Sequence, residues 1–405
     1  MTHALIIGGG IAGAVTAMAL RKAGIDSEIF EAYPTGADDV GAFLVVFANG
    51  LEALRVIDAQ RPVVEHSFPA ERVEFFNSAG KRLGERPIAG SGGGGEGEGD
   101  DGRRGTSGTG PRTLRRATLY RVLHDQARDR GIPLHHGKRL IAAETVGTGR
   151  VVASFADGGR AEGDVLIGAD GIHSVTRKLI DPAAPRPRYT GQNTVCGYTR
   201  DAKTLPAART YTMIYGRRAF FGCTLAPDGE VWWFANAPGR ELSRAELAAV
   251  APDQWRHRVA ALFEEDHTPA AAVVRSTGEA ITGSNAYDIA STPNWSTDTM
   301  VIIGDAAHAA APNAAQGASM AIEDGIVLAK CLRDHPRARD AFAAYEELRR
   351  ERVERVVAAS AEMVRHAAPG PVRRVVRDAV LPRRIERREA GAGADDWLTG
   401  YRIEW

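Results

Sequence analysis

The chain lacks the features that would place it in several large protein classes. It has three cysteines, Cys196, Cys223 and Cys331, far apart and with no CxxC pair, so neither a disulfide framework nor a zinc site is indicated. No apolar run approaches the roughly 20 residues of a membrane span, and no charged segment precedes an apolar stretch as in a signal peptide. We therefore expect a protein of the reducing cytoplasm, with no metal site and no membrane partner.

Neither sign of charge is in excess, because 51 Lys and Arg residues balance 51 Asp and Glu residues. Nucleic-acid-binding domains carry a basic excess, so no nucleic-acid partner is expected. With 405 residues, the chain is too long for one ordinary hydrophobic core, and this length predicts two domains.

The first 31 residues have the pattern of a βαβ unit. An apolar strand at Ala4–Ile7 leads through the glycine-rich turn Gly8–Gly13 into a helix at Ile11–Ala23, and a second strand follows at Ser27–Phe30. Glycines at such a turn let the backbone approach a pyrophosphate, which the helix N-terminus attracts. Glu31 follows Gly13 by 18 residues, where a carboxylate accepts from ribose hydroxyls and repels a 2′-phosphate. This pattern predicts a site for FAD or NAD rather than NADP.

Two more turns of this kind follow buried strands far along the chain. Gly168-Ala169-Asp170-Gly171 comes after the predicted strand Asp164–Ile167, and Gly304-Asp305-Ala306-Ala307-His308 comes after Met300–Ile303. A simple dehydrogenase has no need of the third turn. Together the three turns resemble those of the group A (class A) FAD-dependent aromatic hydroxylases, or flavoprotein monooxygenases, and the resemblance runs from residue 2 to about 348.

The resemblance implies an α/β fold with two intertwined domains and a helical tail. A Rossmann-like FAD-binding domain of the glutathione-reductase type would comprise residues 1–75, 112–182 and 285–345. An inserted antiparallel β-sheet domain for the substrate would comprise 76–111 and 183–284, and C-terminal helices would comprise 346–405. The glycine-rich segment 90–110 is predicted to be a flexible surface insertion, with a mobile lid over the substrate entrance as the alternative.

The same resemblance assigns roles to residues in the FAD site. Asp305 would bind the ribityl chain, Arg116 the pyrophosphate (with Arg115 as an equally basic neighbour), and Asp170 both FAD and the transient NAD(P)H. Pro312 and Phe43 would lie near the isoalloxazine ring, where the flavin carries the chemistry and no catalytic side chain is certain. The predicted cofactor-binding residues are Gly8, Gly10, Ile11, Ala12, Gly13, Glu31, Arg116, Asp170, Asp305, Pro312, Gln316, Gly317 and Ala318.

The third motif departs from the family at one position. The family has Pro-x-x-Gly-Gln-Gly, whereas this chain has Pro312-Asn313-Ala314-Ala315-Gln316-Gly317. Alanine permits fewer backbone angles than glycine, so Ala315 puts the placement of the flavin in question. A helix is predicted from about Ala315 to Leu332, with its N-terminus toward the flavin pyrimidine. His308 is expected to form a structural hydrogen bond.

Aromatic residues are concentrated on three predicted strands, Thr210–Tyr215, Ala219–Leu225 and Val231–Ala235. Alternation along a strand sends about half of them to one face, which predicts an apolar pocket for a planar ligand; ordinary sheet core is the alternative for each residue. The apolar segment Gly41–Val45 would pass the face of the flavin ring. The predicted substrate-binding residues are Val45, Tyr211, Met213, Phe221 and Trp232.

The sequence therefore predicts an FAD-dependent monooxygenase that uses NADH or NADPH and O2. The resemblance implies a flavin C4a-hydroperoxide that hydroxylates or epoxidises an apolar aromatic or polycyclic small molecule; Baeyer–Villiger insertion shares this scaffold. A flavin-dependent reductase acting on an isoprenoid-like double bond is the main alternative. A halogenase is disfavoured because residues 231–235 do not match Trp-x-Trp-x-Ile-Pro, and a nucleotide-bound regulatory protein would belong to another class.

Two further expectations concern the biological setting. Only six lysines accompany 45 arginines, a bias of GC-rich genomes in which such enzymes often tailor natural products. The protein is expected to be a monomer or a homodimer, with the terminal segment Trp397–Trp405 packed on the core and helix faces near Val353–Val364 as an alternative dimer contact.

Overall fold

The computed structural model describes residues 2–34, 42–88, 110–147, 149–310, 315–367, 371–390 and 396–405. The strands are β1 (His3–Ile7), β2 (Asp26–Phe30), β3 (Phe43–Val46), β4 (Phe68–Pro69), β5 (Arg72–Asn77), β6 (Arg82–Pro87), β7 (Arg112–Arg115), β8 (Leu134–His135), β9 (Leu140–Val146), β10 (Arg150–Phe155), β11 (Arg160–Gly163), β12 (Val165–Gly168), β13 (Arg188–Thr199), β14 (Thr210–Tyr215), β15 (Phe220–Leu225), β16 (Val231–Pro238), β17 (Ile281–Asp288) and β18 (Met300–Ile302). The helices are α1 (Ile11–Lys22), α2 (Ala48–Val56), α3 (Gln60–Glu65), α4 (Arg116–Asp129), α5 (Val175–Ile180), α6 (Arg244–Ala249), α7 (Pro252–Leu262), α8 (Ala270–Arg275), α9 (Gly317–Asp334), α10 (Ala338–Ala367), α11 (Pro371–Ala390) and α12 (Asp396–Thr399), with a 3-10 turn at Gly304–Ala306.

A parallel sheet forms the centre of the nucleotide-binding half, with the order β18-β12-β1-β2-β8 over the described residues. Both of its faces are covered. Ile6 and Ile167 lie in one apolar cluster with α1 and α9, while Leu5 and Leu166 lie in a second cluster with β9 and β10. Burial on both faces explains why these strands are continuous apolar runs. The carboxyl ends of β1, β12 and β18 therefore meet at one edge of the sheet, and each is followed by a predicted glycine turn.

The second half is built on a larger sheet, whose described strands have the order β17-β13-β16-β15-β14-β5-β6. Neighbouring strands are antiparallel except for β14 and β5, which pair in parallel from Thr210 opposite Arg72 to Tyr215 opposite Asn77. One face is covered by α7 and α8, against which Phe221 and Trp233 pack. The other face is turned toward β3 and carries the aromatic group described below.

The chain ends by returning to the nucleotide-binding half. Trp397, Leu398, Ile403 and Trp405 pack against its core. Val353 and Val356 of α10 are buried in the same core, so these valines are covered within one chain.

The predicted fold is confirmed, with differences at particular elements. The predicted helix Ala315–Leu332 begins at Gly317 instead and ends at Asp334, because Ala315 takes a left-handed backbone conformation that a helix cannot contain. The predicted domain boundaries at 75, 284 and 345 fall inside β5, β17 and α10. The glycine-rich insertion, apart from Gly110, lies outside the described residues, as do Gly41 and Pro312. In the described part of the chain, no helix is both long enough and apolar enough to cross a membrane.

Candidate FAD site and substrate face

Two positions of the first turn, Gly8 and Gly13, accept no residue other than glycine. Gly8 has φ +104°, and a Cβ on it would lie 2.3 Å from the Ala169 carbonyl oxygen. A Cβ on Gly13 would lie 1.9 Å from the Gly8 carbonyl oxygen, well inside van der Waals contact. Helix α1 follows from Ile11, its N-cap Gly10 has no capping side chain, and its first turn carries no acidic residue. The first N–H groups of α1 are thus left for a phosphate.

Glu31 is held beside this turn at the end of β2. The Gly9 N–H donates to Glu31 Oε2 at 2.7 Å, and the Tyr33 N–H donates to Glu31 Oε1 at 2.9 Å. These bonds fix the carboxylate beside the first turn, and an ionised carboxylate has acceptor capacity for further donors.

The second turn is stabilised from within its own loop. Asp170 accepts from Ser174 Oγ at 2.5 Å, from the Val175 N–H at 2.8 Å and from the Thr176 N–H at 3.0 Å. The carboxylate predicted to contact FAD and NAD(P)H therefore caps α5 in this structure. This cap fixes the turn whose Ala169 carbonyl approaches Gly8.

A buried arginine that the sequence analysis did not assign connects the second turn to the third. Arg177 is fully buried and donates to the carbonyl oxygens of Ile172 at 2.7 Å and Ala306 at 3.0 Å. Burial lowers the pKa of Arg177, although Asp170 opposes the shift. An arginine seven residues after Asp170, at the start of a short helix, is the only sequence signal for this role.

The third turn lies against the first. Gly304 has φ +57°, and a Cβ on it would lie 3.2 Å from the Ala12 Cβ. Asp305 is half-buried next to it, and its Oδ1 lies 4.0 Å from the position of a Cβ on Gly317, the first residue of α9. Burial raises the pKa of Asp305, whereas Arg116 and His308 act to lower it. Asp305 thus lies between the first turn and the N-terminus of α9.

The structure separates the two arginines that the sequence left as alternatives. Arg116 begins α4 and donates Nε to the Tyr120 hydroxyl at 2.8 Å, and that hydroxyl lies 3.9 Å from the position of a Cβ on Gly10. Tyr120 first, and then Asp305, raise the pKa of Arg116. Arg115 instead lies 4.3 Å over the Tyr198 ring on the large sheet. Arg116 is therefore the one of the two arginines that lies beside the first glycine turn.

Two buried polar atoms beside the third turn have no partner among the described residues, Gln316 Nε2 and Asn49 Oδ1. Gln316 is 1% exposed and precedes α9. A buried donor without a partner is costly, so an additional acceptor is expected at this place. Together with the glycine turns that a Cβ would fill, these atoms fit FAD as the resident cofactor.

Ala315 has φ +52°, the left-handed region that alanine enters only at a cost of about 1–2 kcal/mol. The backbone at this position thus has the conformation that glycine, the family's residue, adopts readily. The departure noted in the sequence is thus accompanied by local backbone strain at Ala315. Ala318, a predicted cofactor residue, lies in the first turn of α9 and packs on the core.

An aromatic group, hereafter the substrate face, covers the side of the large sheet that faces β3. Phe43 is at its centre, with ring-centroid distances of 5.7 Å to Trp232 and 6.4 Å to Tyr211. Val45 and Met213 belong to the same apolar cluster as Tyr211 and Phe43. Four of the predicted substrate-binding residues are therefore brought together with Phe43.

Phe221 is not brought to this face. It is fully buried on the opposite side of the sheet, with ring centroids 5.8 Å from Trp233 and 5.6 Å from Phe263, because strand alternation places its neighbour Phe220 on the β3 side. Tyr198 and Phe234, which are not among the predicted substrate-binding residues, also belong to this face, with rings 6.3 and 6.0 Å from Phe43.

His308 has the structural hydrogen bond expected of it. Its Nε2 lies 2.5 Å from Asp324 Oδ2, which also accepts from the Gly304 N–H at 2.9 Å. Across the described residues, no group of His, Cys, Asp and Glu is suited to hold a metal ion.

The fold recurs in solved flavoprotein structures. Klebsiella pneumoniae HpxO complexed with FAD and uric acid has a TM-score of 0.82 and 23% identity, covering 98% of this chain and 97% of that one. CtdE in complex with FAD and its substrate 4 has a TM-score of 0.78 and 21% identity, covering 91% and 90%. These likenesses show the architecture of the class A flavoprotein monooxygenases.

Sequence comparison leads to the same class. Aurachin C monooxygenase/isomerase of Stigmatella aurantiaca is 29% identical over 361 residues, 88% of this chain and 87% of the relative. 3-Amino-4-hydroxybenzoate 2-monooxygenase of Streptomyces cremeus is 28% identical over 87% of this chain and 84% of the relative. A family model described as FAD binding domain matches residues 1–360, and the chain belongs to this family.

Proposed function

We propose that this chain is an FAD-dependent monooxygenase that uses NADH or NADPH and O2 to hydroxylate or epoxidise an apolar aromatic or polycyclic small molecule. The observation that carries the proposal is the position of β3 between the two sites. Phe43 and Val45 belong to the substrate face. One residue beyond β3, the Phe47 N–H donates to Ser319 Oγ at 3.1 Å, in the first turn of α9. A ligand on the substrate face would thus lie next to α9, the helix that follows the third turn.

The described residues fit distinct parts of FAD. The N-terminus of α1 would bind the pyrophosphate together with Arg116, and Glu31 would accept from the ribose hydroxyls. Asp305 would bind the ribityl chain. The positive end of α9 would favour negative charge on the flavin pyrimidine. Bound FAD supplies electron storage and the activation of O2; the protein binds, orients and keeps the site dry.

The substrate face favours a neutral planar ligand. Its rings offer stacking partners of the kind that hold aromatic ligands. Arg115, which lies over Tyr198 and Trp232, is already paired with Glu230 at 2.7 Å, so it is not a free cation for an anionic substrate. Burial raises the pKa of the Tyr211 hydroxyl, which is hydrogen-bonded to Thr113 Oγ1 at 2.9 Å; Tyr211 is therefore a neutral side chain at neutral pH.

The names of the relatives support the planar aromatic or heterocyclic character of the proposed substrate, because aminohydroxybenzoate and urate are molecules of that kind. The arginine-rich composition leads us to include a tailoring step in natural-product synthesis in the proposal.

The test is an absorbance spectrum of the purified protein, followed by NADH and NADPH oxidation with and without a panel of aromatic and polycyclic compounds. We expect a flavin spectrum, faster oxidation with the right compound, and a product that has gained one oxygen atom by mass spectrometry. Bound flavin with a product reduced at a double bond and no gained oxygen would favour the isoprenoid-type reductase. A protein that binds no flavin after FAD is added would refute the proposal.

A further inference from the structure

The C-terminal segment, residues 396–405, is fastened to two arginines of α10. Arg352 donates to the Leu398 carbonyl oxygen at 2.8 Å and also to that of Trp397. The Tyr401 ring centroid lies 4.5 Å from the guanidinium carbon of Arg352 and 5.2 Å from that of Arg349. One aromatic ring thus covers two guanidinium groups, an arrangement whose attraction grows as water is excluded.

The same two arginines hold adjacent carboxylates on α9. Arg352 donates Nε and an Nη to the two oxygens of Glu323, both at 2.9 Å. Arg349 pairs with Glu323 at 2.6 Å and with Asp324 at 2.7 Å. The side chains of Arg349, Glu323 and Asp324 are completely buried. These ion pairs are therefore dry as long as Tyr401 covers them.

Two parts of the third motif, Gln316 just before α9 and the third turn at residues 304–308, are called the two flavin segments here. Glu323 is connected to the first of them, Gln316, through Asn49 of α2. The Asn49 Nδ2 donates to Glu323 Oε1 at 2.6 Å and lies 3.5 Å from Gln316 Oε1. Gln316 is the residue whose amide nitrogen has no partner among the described residues. The orientation of this amide is thus set, through two side chains, by the arginine that Tyr401 covers.

Asp324 contacts the other flavin segment, the third turn, directly. Its Oδ2 accepts from the Gly304 N–H and from His308 at the third turn, while Arg349 holds its Oδ1. Two neighbouring carboxylates therefore hold the two flavin segments that the third motif contributes, and the C-terminal segment covers the arginines that hold the carboxylates.

We propose that the C-terminal segment sets how tightly FAD is held, with Tyr401, Arg352 and Glu323 as positioning residues that act through Asn49 and Asp324 on the two flavin segments. The inference rests on FAD as the cofactor of the proposed function. Without the Tyr401 ring, water reaches the ion pairs and weakens them. The flavin segments are then less ordered before FAD binds, and their ordering subtracts from the affinity.

The experiment measures the dissociation constant of FAD for the apoprotein by fluorescence titration, in the full chain and three variants. We expect Tyr401→Ala to raise the constant at least tenfold and Tyr401→Phe, which keeps the ring, to stay within twofold of the original. Trp405→Ala is the matched control. Trp405 belongs to the same C-terminal segment, and its ring centroid lies 4.7 Å from the guanidinium carbon of Arg333. Arg333 pairs with Asp334 and not with Glu323 or Asp324.

Thermal melting of each apoprotein distinguishes positioning from general stability. The proposal expects Tyr401→Ala and Trp405→Ala to melt at similar temperatures and to differ in FAD affinity. An unchanged constant in Tyr401→Ala, or an equal rise in Trp405→Ala, would overturn it. Should Tyr401→Ala not fold, Arg352→Lys replaces it: the charge stays but the paired donors are lost, and an unchanged constant there overturns the proposal equally. A full-length protein that binds no FAD contradicts the proposed function itself.

Discussion

Replacing Arg349 by methionine tests how much the buried ion pairs of α9 and α10 contribute to the free energy of unfolding. The Arg349 side chain is completely buried between Glu323 and Asp324. Burial by itself would lower the pKa of Arg349, but the two carboxylates raise it well above its ordinary value. In the variant, among the described residues, Arg352 remains to pair with Glu323 and His308 remains to pair with Asp324. Removing one partner of a buried ion pair costs about 3–5 kcal/mol, so we expect Arg349→Met to lower the free energy of unfolding by about that amount.

The measurement is urea denaturation followed by tryptophan fluorescence. Arg337→Met is the control. Arg337 immediately precedes α10, its side chain is 80% exposed, and it pairs with Asp340 at the surface. A surface pair of this kind contributes less than about 1 kcal/mol. If both variants lost the same free energy, the buried network would contribute no more than a surface pair and the reasoning would be refuted.

The pH dependence identifies the electrostatic part of the loss. Burial alone would raise the pKa of Asp324, but His308 and Arg349 hold it well below its ordinary value. A depressed carboxylate pKa stabilises the fold above the unfolded-state value, about 4, and this stabilisation is lost as pH falls through the folded-state value. In Arg349→Met the pKa of Asp324 rises because one of its two cationic partners is lost, and protonation then relieves part of the cost of the buried charge. The difference in unfolding free energy should therefore shrink as the pH falls below about 5, toward the unfolded-state value; a difference that stays constant there would mean lost packing alone.

Three further variants test the site. Gly13→Ala places a Cβ 1.9 Å from a carbonyl oxygen and should abolish FAD binding in a titration, whereas Gly278→Ala, in open space, should leave it intact. Ala315→Gly relieves about 1–2 kcal/mol of left-handed strain against about 0.4–1 kcal/mol of extra unfolded-state entropy, so urea denaturation should show a gain of up to about 1.6 kcal/mol. A loss would disprove the strain. Trp232→Ala should raise KM for an aromatic substrate about 2- to 10-fold. Trp233→Ala, its control on the opposite face, should lower the unfolding free energy by about 3–5 kcal/mol and leave KM unchanged. The reverse pattern would mean that the substrate binds on the face of Trp233.

The parts of the fold that depend on local sequence were predictable. Strand β1, helix α1 and strand β2 begin and end within one residue of their predicted limits, because glycine turns and buried apolar runs are local signals. The parallel pairing of β14 with β5 was not predicted. It joins residues 210–215 to residues 72–77, and nothing in either strand identifies a partner so distant in sequence.

The site divides along the same line. The glycine turn and Glu31 could be located because their spacing is local, and the structure holds the two together with one hydrogen bond. Strand alternation showed that Phe220 and Phe221 face opposite ways, but the side that becomes core depends on α7 and α8, which follow later in the chain. Which side is covered is thus decided by tertiary packing, and the sequence of the strand alone wrongly places Phe221 on the substrate face.

Glu323 and Asp324 show why the flavin network could not be predicted at all. Two adjacent acidic residues in a helix ordinarily lie at the surface, since an unpaired buried carboxylate is prohibitively unfavourable. Here both are fully buried because arginines 25 to 29 residues later in the chain return to pair with them. Each carboxylate is thereby free to hold a different flavin segment. A pattern that indicates a solvent-exposed surface when α9 is considered alone becomes a buried ion-pair network only when α10 and the C-terminal segment are folded onto it.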